Sequence, residues 1–268
     1  MVQLLTRKPS VLTKRGTVGD PRLRNLVQRA AKRLGYRIEK LYPSDYSRDL
    51  IEIIERVRPY TMTSHERIAD TCFAVDYVVE NDIPGAIVEC GVWKGGSMMA
   101  VALRLLQLQR TDRDLYLFDT FAGMPEPLEV DVMREGIRAS DLWERTEGNA
   151  EGSAWLSVPL AEVESAISTT GYDSAHVHFV EGKVEDTLPR AAPDNVSLLR
   201  LDTDLFESTK HELEHLFPRL SVGGVLILDD YGSWTGAQTA ADAYFSENNI
   251  RIMLHRSDAD GRLAVKQI

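Results

Sequence analysis

From Pro84 onward the chain alternates between short, almost wholly apolar runs and longer stretches whose apolar positions recur with a helical period. Runs of the first kind read as strands buried on both faces, and stretches of the second kind as helices packed along one face. Their alternation predicts an α/β fold with a largely parallel sheet. The predicted strands are Ala86–Cys90, Asp114–Phe118, His176–Val180, Ser197–Leu201 and Val225–Leu228, the last entered through a turn at Ser221-Val-Gly-Gly224. A final pair, Arg251–His255 and Arg262–Lys266, flanks the turn Asp258-Ala-Asp-Gly261. Helices are predicted at about Gly96–Gln109, Pro159–Thr169, Phe206–Phe217 and Thr235–Asn248, with a single turn at Val184–Pro189. The stretch from Asp119 to about Leu156 keeps no strong period, and a loop of that length in a compact domain usually serves as a lid or binding loop.

Before Pro84 the pattern changes. Residues 1–20, broken by Pro9, Gly16 and Gly19, sustain no period. Residues 21–35 predict a basic amphipathic helix opened by Pro21 and closed by Gly35, with Leu23, Leu26, Val27, Ala30 and Leu34 on one face. A second helix is predicted from about Asp45 to Val57 with Ser44 as its cap. A third starts at a capping box of Thr63 and Glu66 and carries Ile68, Cys72, Val75 and Val79 at helical spacing. The chain therefore divides into a basic tail with a helical cap, 1–82, and a sheet domain, 83–268.

Composition and charge narrow the class. With 43% hydrophobic and 27% charged residues, the 268-residue chain can build a substantial core. It has no apolar run long enough to span a bilayer, and its N-terminus lacks a signal core, so a cytoplasmic location is expected. Cys72 and Cys90 fit a reducing compartment and form no C-x-x-C pair. Residues 1–40 hold eleven Lys/Arg against Asp20 and Glu39, while the whole chain carries −10, so the remainder is strongly acidic and would repel nucleic acid. The basic head could meet phosphates or an anionic surface, or pack on the acidic body of a neighbouring subunit. Assembly into a homodimer or higher homo-oligomer is expected on the latter view.

Two strand ends carry paired carboxylates: Leu199-Arg-Leu-Asp202-Thr-Asp204 and Val225-Leu-Ile-Leu-Asp229-Asp230-Tyr231. Ligands of open α/β sheets bind beyond the carboxyl ends of the strands. If the two strands lie side by side, Asp202, Asp204, Asp229 and Asp230 share one rim. Four carboxylates at one spot need a counter-charge to stay ionised, and a hard divalent cation with oxygen ligands is the natural one.

The first strand ends in a glycine turn, Glu89-Cys-Gly91-Val-Trp-Lys-Gly95-Gly96-Ser97. Glycines here let the backbone approach a ligand, and the helix start that follows favours negative charge. The spacing is neither the G-x-G-x-x-G of dinucleotide binders nor a phosphate-binding loop, which argues against a nucleotide-binding dehydrogenase. It suits the methionine carboxylate of S-adenosylmethionine, and Asp119, at the end of the second strand, is placed to accept hydrogen bonds from ribose hydroxyls. Residues 45–82 are expected to close over this donor, with Thr61, Met62 and Thr63 near its methionine end. His65, ahead of the third helix, is a candidate base. The pairs His176/His178 and His211/His215 lack the partners of a zinc site and read as structural.

The sequence resembles the TylF/MycF family of S-adenosylmethionine-dependent sugar O-methyltransferases, the macrocin O-methyltransferase type. The resemblance rests on Ile87-Val-Glu-Cys-Gly-Val-Trp-Lys-Gly-Gly-Ser97, Phe118-Asp-Thr-Phe-Ala-Gly-Met-Pro125, Leu199-Arg-Leu-Asp-Thr-Asp204, Phe217-Pro-Arg-Leu-Ser-Val-Gly-Gly224 and Leu228-Asp-Asp-Tyr231. It runs from about Thr61 to the last strand. It implies a Rossmann-like class I methyltransferase sheet of order 3-2-1-4-5-7-6 with one antiparallel strand, and dependence on magnesium. It implies Asp202, Asp229 and Asp230 as metal ligands and Asp204, beside Asp202, as the catalytic base. The cofactor-binding set it implies is Thr61, Met62, Glu89, Gly91, Ser97, Asp119, Val184, Glu185 and Asp202. The acceptor would be a small-molecule or oligosaccharide hydroxyl, on a glycosylated natural product or a methylated polysaccharide. An ortho-diphenol of the catechol kind would chelate the same metal.

Overall fold

The computed structural model describes residues 41–146 and 154–267. The helix expected at 21–35 lies outside them. The chain divides into two units, Met1–Asp45 and Tyr46–Ile268, and the second holds every element described below.

Seven strands form one sheet: β1 (Ala86–Cys90), β2 (Leu115–Asp119), β3 (Val177–Glu181), β4 (Val196–Leu201), β5 (Leu220–Leu228), β6 (His255–Arg256) and β7 (Arg262–Val265). Their order is β3-β2-β1-β4-β5-β7-β6, and β7 runs antiparallel to both of its neighbours. This is the order and the single reversed strand that the resemblance implied. The central strands β1 and β4 are buried at every position, as their unbroken apolar runs required.

Helices cover both faces. On one side α1 (Arg48–Val57) and α2 (His65–Glu80) pack on α3 (Gly96–Gln107), so the cap helices belong to the same compact unit as the sheet. On the other side α7 (Phe206–Leu216) and α8 (Thr235–Glu247) pack together, and their Leu213, Leu216, Tyr244 and Phe245 join the strand residues Val88, Phe118, Leu199 and Leu226 in the main core. The shorter helices are α4 (Ala139–Arg145), α5 (Leu160–Ser168) and α6 (Val184–Thr187).

Several boundaries differ from expectation, each for a local reason. The α1 cap is Ser47, whose Oγ accepts from Leu50 N at 3.2 Å, rather than Ser44. The α2 cap is Ser64, accepting from Arg67 N at 3.2 Å, because Thr63 is drawn away to a polar cluster described below. Residues Ser221–Gly224 belong to β5 instead of preceding it. Gly223 N and Gly224 O bond to Lys266 O and N at 2.7 and 2.8 Å, so ladder bonds to the end of the chain override the turn-forming tendency of the glycines. The segment 251–254 is not a strand. Ile250, Ile252 and Leu254 alternate because they pack on the core, while only His255 and Arg256 find ladder partners. The long stretch after Asp119 holds α4.

Ser64 both caps α2 and donates from Oγ to Asp258 at 2.6 Å. Ser64→Ala should therefore cost ~1 kcal/mol, the usual loss for an N-cap serine. A thermal melt should show a midpoint lower by about 2–4 °C, the shift such a loss gives a domain of this size.

Candidate active site

The carboxyl ends of β1, β2, β4 and β5 meet at one cleft. Its shape starts with Gly91, which follows β1 with φ +80°. A side chain there would drive its Cβ into the backbone carbonyl of Asp202. The chain ends after β1 and β4 are held that close by Asp202 N donating to Cys90 O at 2.9 Å, and Gly91 N donates to Phe118 O at 2.9 Å. Glycine is thus demanded by the neighbouring strand, before any ligand is considered. Gly95, at φ +84°, is the N-cap of α3. The next residue, Gly96, lies under the Tyr60 carbonyl, which seats the Tyr60–Thr61 segment on the helix start.

Asp119 organises the same turn. Its Oδ2 accepts from Val92 N at 2.6 Å and from Trp93 N at 3.0 Å, and its Oδ1 accepts from Phe121 N at 2.8 Å. These bonds hold Trp93 and Phe121 in left-handed conformations, φ +47° and +51°. A carboxylate offers about four acceptor directions, so capacity for a further donor remains.

Arg200 sits at the floor. It is a fully enclosed guanidinium in the apolar run of β4, opposite Glu89 of β1 in register. Its Nη1 donates to Glu89 Oε1 at 2.7 Å and to Asp202 Oδ2 at 2.5 Å; its Nη2 donates to Asp229 Oδ1 at 2.5 Å and to Thr63 Oγ1 at 3.1 Å. Burial opposes this cation, yet Asp202, Asp229 and Glu89 outweigh burial and raise its pKa further. Burial pushes the Glu89 carboxyl up to about 7 against the pull of Arg200. A second guanidinium, Arg67 of α2, pairs with Asp229 Oδ2 and with Asp258 at 3.0 Å, and lies 3.7 Å from Asp260. Both oxygens of Asp229 are thus engaged by arginine.

Asp202, Asp204 and Asp230 are gathered together, and among the described residues only Asp202 is hydrogen-bonded to a cation, Arg200 on its Oδ2. One oxygen of each lies within 4.8 Å of the others. Asp204 N donates to Asp230 Oδ2 at 3.3 Å, with Asp204 held at φ +65°. Desolvation first, then mutual repulsion, raises Asp202 and Asp230 well above the usual carboxylate range, and Asp204 to about 7. The donor set is all oxygen, bunched and short of positive charge, which fits a hard dication.

Of the residues the sequence pointed to, Thr61, Met62, Gly91, Ser97, Asp119, Val184, Glu185, Asp202, Asp204, Asp229 and Asp230 all line this one cleft. Glu89 does not; it lies beneath, closed off by Arg200. Glu185 accepts from Ser208 Oγ at 2.8 Å through one oxygen, while its other oxygen is buried without a partner. His65 is outside the cleft, at the first turn of α2 beside Glu66 and Tyr46. His176 and His178 share Asp114 at the opposite end of the sheet. The sequence reading gave no role to Arg67 or Arg200, and it gave Thr63 a place near the donor and in a helix cap rather than on the Arg200 fork. The signal for Arg200 was present, since an arginine inside an apolar strand must find buried carboxylates.

The far wall of the cleft comes from the long stretch after β2. Met124, Pro125, Met133 and Leu156 line it together with Trp234 at the start of α8. Trp155 stacks near Trp234 with ring centroids 5.9 Å apart. Asp131 anchors this wall, accepting from Leu128 N and from Phe206 N, the first residue of α7, at 2.7 and 2.8 Å.

Known proteins of similar sequence and fold are O-methyltransferases. The sequence profile of the family described as macrocin-O-methyltransferase (TylF) matches residues 23–264. The 8-demethyl-8-(2,3-dimethoxy-alpha-L-rhamnosyl)-tetracenomycin-C 4'-O-methyltransferase of Streptomyces olivaceus is 37% identical over 172 residues, covering 64% of this chain and 62% of that protein, a little under two thirds of its length. The demethyldecarbamoylnovobiocin O-methyltransferase of Streptomyces niveus is 33% identical over 202 residues, 75% of this chain and 74% of that protein. Among solved structures, the O-methyltransferase NovP superimposes with a TM-score of 0.69 at 28% identity, covering 92% of this chain and 98% of that one. The calicheamicin methyltransferase CalS11 shares the fold, with a TM-score of 0.59 at 20% identity over 93% of this chain and 94% of that one.

Two substitutions test this architecture. Arg200→Ala should destabilise the protein by on the order of 3–5 kcal/mol, since it strands buried carboxylates. Arg200→Lys should not restore stability, because one ammonium cannot serve three carboxylates in a plane. Chemical denaturation of parent and variants measures both. Gly91→Ala should disturb the fold itself, seen as a lower melting point without any ligand present.

Proposed function

The chain belongs to the macrocin-O-methyltransferase (TylF) family, and on that premise we propose that it moves the methyl group of S-adenosylmethionine to a sugar hydroxyl with the help of a hard divalent cation such as magnesium. The observation that carries this reading is the single cleft in which the glycine turn and Asp119 face the trio Asp202, Asp204 and Asp230. The acceptor class follows from the Streptomyces olivaceus relative, whose name gives a rhamnosyl-bearing tetracenomycin as its substrate.

The chain's own groups divide the work. Gly96 and Ser97, the first two residues of α3, line the cleft and offer it helix-start backbone N–H groups that suit a carboxylate. Asp119 keeps acceptor capacity for one hydroxyl, and the unpartnered oxygen of Glu185 offers another acceptor within the same cleft. When bound, S-adenosylmethionine supplies an electrophilic methyl group. Asp202 and Asp230 would hold the cation, which would supply Lewis acidity toward vicinal hydroxyls. Asp229 joins them only by releasing Arg67. Asp204 is the proton acceptor, because it sits beside Asp202 and Asp230 and carries a carboxyl that titrates near neutrality. Met124, Met133, Leu156 and Trp234 present an apolar wall that excludes water and suits a sugar with few hydroxyls or its apolar aglycone.

Chelation of divalent ions should abolish turnover, and magnesium should restore it. Asp202→Asn and Asp230→Asn should lose metal-dependent turnover yet keep donor affinity in calorimetry. Asp204→Asn should keep the fold and lose on the order of 10²–10⁴ in rate. Asp204 acts deprotonated, so the parent rate should rise with pH and level off; a bound dication should draw that rise below 7, and Asp204→Asn should lack it. Full activity in chelator, or an Asp204→Asn enzyme as fast as the parent, overturns this reading.

A further inference from the structure

The helix α7 carries chemistry that methyl transfer does not use. Residues 211–215 read His-Glu-Leu-Glu-His, which spells H-E-x-x-H on a helix, a spacing that puts two imidazoles one turn apart on a single face. In metallopeptidases the glutamate of that motif acts as a base beside the ion. Here it cannot, because Glu212 is enclosed and its Oε2 accepts from Thr203 Oγ1 at 3.2 Å, on the sheet side of the helix. Glu214, at i+3 from His211, lies on the histidine side instead.

We propose that His211, Glu214 and His215 form a second cation site, chemically distinct from the acidic cleft and suited to a nitrogen-favouring divalent ion of the zinc class. One ligand atom from each of the three residues lies within 4.8 Å of the others. The two imidazole rings are 4.3 Å apart between centroids. In a tetrahedral zinc site with bonds of about 2.0–2.1 Å, ligand atoms stand roughly 3.4 Å apart, so small side-chain rotations close the set. An independent feature favours a cation there: His211 Nε2 is buried with no hydrogen-bond partner, so that imidazole has unmet bonding capacity.

The competing interaction is weak. Lys210 Nζ lies 3.9 Å from Glu214 Oε1, with both side chains about half exposed, and a pair of that kind contributes little. The other histidine pair is not equivalent, because His176 and His178 already converge on Asp114 at 2.9 and 3.1 Å. Two imidazoles and one carboxylate favour zinc, copper or nickel ions, whereas the carboxylates of the cleft favour magnesium. The remaining coordination positions on α7 would face solvent and be filled by water.

Zinc sulfate titrated calorimetrically into the full-length, tag-free protein under saturating magnesium tests the proposal. The parent should bind one zinc ion per chain that His215→Ala binds at least tenfold more weakly. Glu214→Gln should weaken the same event, and His178→Ala should leave it unchanged. Cobalt substituted at the site should show two imidazole ligands by X-ray absorption, a signature that a merely structural histidine pair does not give. His215 is half-exposed on a helix face, so His215→Ala should fold, and a melt without zinc checks this. Equal zinc affinity in the parent and His215→Ala, no binding by the parent up to about 1 mM zinc, or loss of the event in His178→Ala overturns the proposal.

Discussion

One buried cation, Arg200, sets the terms for the rest of the cleft. Placing a guanidinium in the apolar centre of a parallel sheet costs several kcal/mol unless carboxylates surround it. Glu89 from β1, Asp202 just past β4 and Asp229 just past β5 meet that requirement and are fixed by it. The planar fork has enough donors to reach all three and Thr63 as well, which an ammonium has not. The three central strand ends are therefore tied through one side chain.

The acidic trio follows from this arrangement. The two guanidiniums, Arg67 and Arg200, contact Glu89, Asp202 and Asp229, whereas Asp204 and Asp230 are left to each other and to Asp202. Burial and repulsion then raise their proton affinity. The same residues that make the site costly in the metal-free protein make it receptive to a cation and, at Asp204, to a proton. Asp202 belongs to both sets, tied to Arg200 beneath and to Asp204 and Asp230 at the surface of the cleft.

Much of this was legible in the sequence because it depends on local pattern. Apolar runs ending in acids placed β4 and β5, and the paired aspartates at their ends marked the rim. What escaped was partner choice. The need for counter-charge at the rim was read as a metal alone, yet a guanidinium two residues upstream meets part of it. Gly91 read as room for a ligand, while its nearest neighbour is the backbone of Asp202. Thr63 matched a capping box, but the Arg200 fork draws it off and Ser64 takes its place. The Ser221–Gly224 glycines looked like a turn because nothing local reveals the ladder bonds to Lys266. Each miss is a case of tertiary contact overriding a local preference.

The contact between Gly91 and Asp202 also bears on how such an enzyme can change over generations. It makes the glycine turn and the acidic loop a single inherited block, since a shift in one is transmitted to the backbone of the other. Among the described residues, the wall built from Met124, Met133 and Leu156 is held through Asp131 and Trp234 to the helices rather than to β1. If that wall takes the acceptor, as proposed, lineages descending from one ancestor can exchange acceptors by rewriting it, and the glycine turn and the acidic loop pass through each change intact.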